Sequence, residues 1–261
     1  MFELFDKANV IVPGAMLVMA RISGMFLTFP VFSANFLNRR IKITLVVMFT
    51  ILISPAFYTS YPPVDNPLHL GVLVIIELFI GITIGFGTAV IFETFKIAGA
   101  FVGRQIGLSM SQVVDPNTNL KTQIISQIFY LLIIIYFVVS NGHYLLIETF
   151  YNNFKLIPLG TASFPSSLGR NIIRTGSDMY SLALHFAGPT IIFMLLVESA
   201  VAITVRVMPQ MNAFFITLPL RIGCGLFALI NSMNIFQLMY ATIYGHIYQY
   251  IGSSITNLKG V

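Results

Sequence analysis

The chain has 261 residues, of which 57% are hydrophobic and only 9% charged. A soluble domain carries about 25% charged residues, so the composition excludes a soluble globular domain and predicts an all-α polytopic membrane protein. The net charge of +5 fits loops flanking membrane helices and gives no reason to expect a nucleic-acid partner.

The start of the chain carries Glu3, Asp6 and Lys7, whereas a cleavable signal wants a basic start; no small-x-small cleavage site follows. Residues 10–29 are apolar and long enough to cross roughly 30 Å of hydrocarbon. Arg21 lies inside that stretch and Pro30 ends it. The loop that follows carries Arg39, Arg40 and Lys42 and no acid, which marks it as cytoplasmic. Residues 43–57 form a second span. The next loop, with Pro62, Pro63, Asp65 and Pro67, has no basic residue and reads as outside.

Residues 68–95 form an overlong third span with Glu77 inside it. Gly81 and Gly85 place small residues on one helical face, as Gly99 and Gly103 do further on; that spacing lets two backbones approach closely. Glycines at positions 99, 103 and 107 lead into a mostly polar loop, 107–122, that Asp115-Pro116 keeps from being helical. Polar irregular backbone beside apolar spans must sit in water, in protein or along a water-filled cavity. The loop is therefore expected in the mouth of a pore.

Further spans fall at 124–140, 179–205 and 213–240, giving six with both ends outside and one membrane domain over 1–261. Between them, residues 143–157 and the piece after Ser166-Ser167 read as amphipathic half-length helices lying at an interface or against a partner. Gly188-Pro189 interrupts the fifth span, and a short turn of Arg206, Pro209, Gln210 and Asn212 leads to the sixth.

The intramembrane charges Arg21, Glu77 and Glu198 are costly in lipid and must face protein or a cavity. They are scattered over different spans and no Asp lies mid-span, which favours structural pairing over an ion path. Helices broken by Pro and Gly leave a small-solute or ion-coupled transporter as the alternative, although the two halves show no convincing internal repeat. Enzyme signatures are missing. The four histidines form no HExxH pair, and Gly107-Leu108-Ser109-Met110-Ser111 has Ser where a nucleophile elbow closes on Gly. No cofactor and no metal are expected. The single cysteine, Cys224, excludes an internal disulfide and a cysteine-built zinc site.

Several of these segments resemble one family. They are Arg21 with Pro30 and Arg39-Arg40-Ile41-Lys42; Gly107-Leu108-Ser109-Met110-Ser111-Gln112-Val113-Val114-Asp115-Pro116; Asn141-Gly142-His143 with Pro158-Leu159-Gly160; and Arg206-Val207-Met208-Pro209-Gln210-Met211-Asn212 with Leu218-Pro219-Leu220. Over nearly its whole length the chain is similar to the FliR family of flagellar type III export-gate proteins and their virulence-secretion counterparts. The resemblance implies broken helices and helical hairpins packed against FliP-like and FliQ-like subunits, with FlhB-like and FlhA-like partners. Their place would be the bacterial inner membrane at the flagellar basal body, where unfolded flagellar proteins pass. It also implies that the segment matching Gly107 to Pro116 plugs the channel; where the family has an aromatic before Asp115-Pro116, this chain has Val113-Val114. Independently, a pore wide enough for a polypeptide would leak ions unless closed by an element whose opening costs little.

Overall fold

The computed structural model describes residues 2–29, 38–57, 66–107, 124–161, 166–208, 217–232 and 245. These residues form seven helices in two compact units. The helices are α1 (Phe2–Thr28), α2 (Arg39–Phe57), α3 (Pro67–Ile106), α4 (Ile124–Val139), α5 (Gly142–Leu156), α6 (Ser166–Val207) and α7 (Thr217–Ser232). Among the described residues there is no strand. α3 begins in the first unit and ends in the second, and so does α6.

The first unit is organised by the approach of α1 to α3. Leu17, Val18, Ile22 and Met25 of α1 and Ile80 of α3 are completely buried. Glycines bring the two backbones together. A Cβ on Gly24 would fall 2.8 Å from the Ile82 nitrogen, and one on Gly81 would overlap the Arg21 carbonyl oxygen. At Gly85 a Cβ would lie 2.8 Å from the Met25 carbonyl oxygen. No real Cβ survives such contacts, so any larger residue must push the helices apart.

An aromatic cluster seals the other side of α1. Phe26 lies 5.7 Å from Phe49 of α2 and 6.1 Å from Phe150 of α5, while Phe57 stacks on Phe154 at 5.5 Å. Pairs at these spacings contribute roughly 0.5–1.5 kcal/mol each beyond area burial. α5 starts where Asn141 adopts a left-handed conformation (φ 59°), which Asn tolerates better than most residues. Gly142 follows because a side chain there would strike the Phe137 ring.

In the second unit, Phe186 of α6 makes edge contacts with Phe95 of α3 and Phe129 of α4, both at 5.4 Å. Gly99 lets α4 lie against α3: an added Cβ would be 2.7 Å from the Ser126 Cα. Gly103 is buried one turn further on.

The helices run longer than the hydropathy spans. α3 has 40 residues and continues to Ile106, because its late glycines give room to neighbours instead of ending the helix. The amphipathic piece after Ser166 and the following span form one 42-residue helix, α6, which passes through Pro189. Its Gly176 disfavours a helix by only about 1 kcal/mol, too little to break it. Among the described residues four helices are long and apolar enough to cross a membrane, and the pair α4–α5, broken at Asn141, makes a fifth candidate.

Gly24→Ala and Gly81→Ala should each destabilise the protein by about 1–3 kcal/mol through overpacking. Gly176→Ala, where a Cβ would meet nothing within 4 Å, should instead stabilise it by about 0.4–1 kcal/mol. Thermal unfolding of the purified variants in detergent checks the opposite signs.

Candidate functional site: buried and half-buried polar networks

Arg21 lies on the face of α1 that packs on α3, one helical turn after Leu17. Glu77 lies on α3, one turn before Gly81, the glycine that receives the Arg21 carbonyl. Close backbone approach therefore puts the two charges within reach. Arg21 Nε donates to Glu77 Oε2 at 2.5 Å, and both side chains are 0% exposed.

α5 completes the shell. Arg21 Nη1 donates to Asn153 Oδ1 at 3.0 Å and to the Ile157 carbonyl oxygen at 2.8 Å. The Phe154 ring lies 4.8 Å from the guanidinium carbon. The cation thus meets the C-terminal end of α5, where carbonyls lack helical partners and the helix dipole is negative. Pro158 then prevents the helix from continuing, and Gly160 (φ 72°) takes a left-handed turn open to glycine. Its N–H donates to Glu77 Oε1 at 2.8 Å, so both carboxylate oxygens are engaged. Among the described residues, Arg21 Nη2 and Asn153 Nδ2 remain as buried donors without a partner.

This arrangement holds three elements together. The side chains of Arg21, Glu77 and Asn153 are completely buried within the chain. Losing one partner of a buried pair costs about 3–5 kcal/mol, since the other charge stays buried and uncompensated.

The remaining charges are wetter. Arg221 Nη2 of α7 lies 3.2 Å from Glu198 Oε1 of α6, each side chain 30% exposed. Gln105 of α3 donates to the same oxygen at 3.4 Å. Lys96 and Glu93 pair one helical turn apart at 2.9 Å, with Lys96 above the Tyr130 ring. Exposed pairs of this kind contribute roughly 0–1 kcal/mol. α6 and α7 also border an open groove of about 250 Å³. Pro189, Thr190, Phe193, Phe227, Ala228, Asn231 and Ser232 line it, and none of these is charged.

Of the sequence-predicted loop, Gly107 is described. It ends α3 with φ 88°, a region that favours glycine, and its N–H donates to the Arg104 carbonyl at 3.1 Å. Leu108, Ser109, Met110, Ser111, Gln112, Val113, Val114, Asp115 and Pro116 lie outside the described residues. In the predicted contact turn, Arg206 is exposed in the last turn of α6, while Pro209, Gln210 and Asn212 lie outside the described residues. Sequence reasoning missed Asn153, Ile157 and Gly160 as the partners of the ion pair. Asn153 lies among the polar positions of the amphipathic 143–157 segment, and a signal for it existed in the breaker Pro158-Leu159-Gly160, which begins five residues beyond.

The fold and these networks define a helical membrane protein whose deepest charges serve its own packing. Residues 12–247 match the pattern described as "Bacterial export proteins, family 1", and the chain belongs to that family. It is 26% identical over 239 residues to the flagellar biosynthetic protein FliR of Bacillus subtilis (strain 168), covering 89% of this chain and 90% of that one. To the FliR of Escherichia coli (strain K12) it is 27% identical over 238 residues, 91% of each chain. A 154-residue stretch is 28% identical to the surface presentation of antigens protein SpaR of Shigella flexneri, covering 59% of each. These matches give no support to a small-solute transporter.

Arg21→Leu and Glu77→Leu should each destabilise the protein by about 3–5 kcal/mol, and the double Leu variant should recover much of that loss. Arg21→Lys should not rescue, because one ammonium cannot replace the fork that reaches Glu77, Asn153 and Ile157 at once. Thermal melts of the four variants, with the double-mutant coupling, measure this.

Proposed function

We propose that the chain is a subunit of the flagellar type III protein-export gate in the bacterial inner membrane. It helps form, and plug, the channel through which unfolded flagellar proteins leave the cell. The observation that carries this reading is the match to FliR proteins along about nine-tenths of both chains. The role is structural and mechanical rather than enzymatic. FliP-like and FliQ-like membrane subunits would cover its exposed apolar helices, with FlhB-like and FlhA-like components alongside and membrane lipid at the periphery.

Within that role we assign the plug to residues 107–116. The support is chemical. α3 ends at a glycine whose backbone angle few other residues adopt. Beyond it stand small, polar and apolar residues in alternation, suited to filling a constriction and bonding backbone at once. Arg206, Pro209, Gln210 and Asn212 would form a turn held against a sister subunit.

Replacing residues 109–114 with Gly and Ser should leave the complex assembled but raise the resting ion permeability of the membrane severalfold. Potential-sensitive dye in cells, with native gels for assembly, reads both. Permeability equal to wild type in an assembled complex would remove the plug assignment.

A further inference from the structure

α7 and α6 grip the C-terminal end of α3 over three consecutive residues. Gln105 donates to Glu198 Oε1 at 3.4 Å, and Arg221 approaches that same oxygen at 3.2 Å. One residue on, Ile106 is fully buried beneath α7: a Cβ built on Gly225 would come within 2.5 Å of Ile106 Cγ1. Gly107 then ends the helix, and a Cβ there would meet Leu218 Cδ1 of α7 at 4.0 Å. Polar tie, apolar key and glycine exit follow one another in sequence.

We propose that Gln105, Glu198 and Arg221 form a releasable clasp that fixes the resting position of the end of α3. Three observations make it releasable. Its ion pair is 30% exposed within this chain, so the chain's own packing does not enclose it and another polar group or water can take over either charge. One carboxylate oxygen serves both donors, so moving Gln105 or Arg221 relieves the other. Among the described residues Arg221 Nε is buried without a partner, which leaves the guanidinium a donor for another acceptor when α3 shifts. The Arg21–Glu77 pair shares the third, since Arg21 Nη2 also has no partner among the described residues, but not the first two: both carboxylate oxygens are engaged by different donors and neither side chain is exposed. Gly225 keeps α7 close enough for Arg221, one turn earlier, to reach across. The clasp gains its functional meaning from the reading of residues 107–116 as the plug, since that segment starts where the clasp acts.

The test is hydrogen–deuterium exchange of the assembled complex carrying Glu198→Ala, Arg221→Ala or Gln105→Leu, and the charge exchange Glu198→Arg with Arg221→Glu. An exposed ion pair with one added hydrogen bond shifts an equilibrium by about three- to tenfold. Amides of residues 103–107 should therefore exchange about three- to tenfold faster in the Ala variants, with residues 92–99 unchanged. The charge exchange should return them to within twofold of wild type. Gln105→Leu, which leaves the ion pair in place, should give a smaller rise of about two- to threefold, and it decides the matter if the Ala variants fail to assemble. Unchanged exchange at 103–107, or a charge exchange no better than the single variants, overturns the clasp. Resting ion permeability of the same strains separates the two readings. Faster exchange without leak keeps the clasp and counts against the plug. A leak on replacing 109–114, with exchange unchanged in the clasp variants, keeps the plug and overturns the clasp.

Discussion

A guanidinium taken out of water must find its partners within the chain, and the first unit is arranged around that requirement at Arg21. An isolated charge at membrane depth costs at least about 2.5–3.5 kcal/mol, and Glu77 offsets it only if α1 and α3 come within reach of each other. Gly24, Gly81 and Gly85 allow that approach, and side chains at those positions would hold the helices too far apart. The remaining donors set where α5 ends. Its last carbonyls must face the cation, so Pro158 stops the helix and Gly160 turns the backbone onto the free carboxylate oxygen. Four glycines, one proline and Asn153, none chemically reactive, thus serve the placement of one charge.

The second unit uses charge differently. Glu198 and Arg221 are each 30% exposed within this chain, so its own packing does not lock them together as it locks Arg21 and Glu77. A buried pair resists change because breaking it strands a charge; a half-exposed one resists little because water replaces the lost partner. A protein conduit needs both kinds of contact. Its walls must persist while a polypeptide passes, and its closing element must move on a modest signal.

Hydropathy made the fold class legible, since 57% hydrophobic residues leave little choice, and Arg21, Glu77 and Glu198 stand out as charges in apolar runs. Their pairing did not stand out. Arg21 and Glu77 are 56 residues apart, and no local pattern links them. Asn153 was hidden for a related reason: on an amphipathic helix a polar residue reads as solvent-facing, yet Asn153 is completely buried because its partner comes from another element. Helix lengths were less legible, because apolar length marks the membrane-facing part and not the helix: α3 continues past residue 95 to Ile106, and α6 joins the piece after Ser166 to the following span.

The exposed apolar surface of α6 carries the last constraint. From Ile173 through Tyr180, Leu184, Ile192, Leu196 and Ile203 to Val207, large apolar side chains are at least half exposed. At 1.5 Å per residue that stripe is about 50 Å long, whereas bilayer hydrocarbon is about 30 Å thick. Fitting all of it into lipid would need a tilt of about 50°, beyond the 0–40° that membrane helices adopt. Water is no better a cover, because a stripe this long exceeds the apolar patches that monomers expose. Protein cover over part of it would relieve that mismatch. Only 11% of the most apolar stretch of α6 is buried within the chain, which leaves this surface to lipid or to other protein.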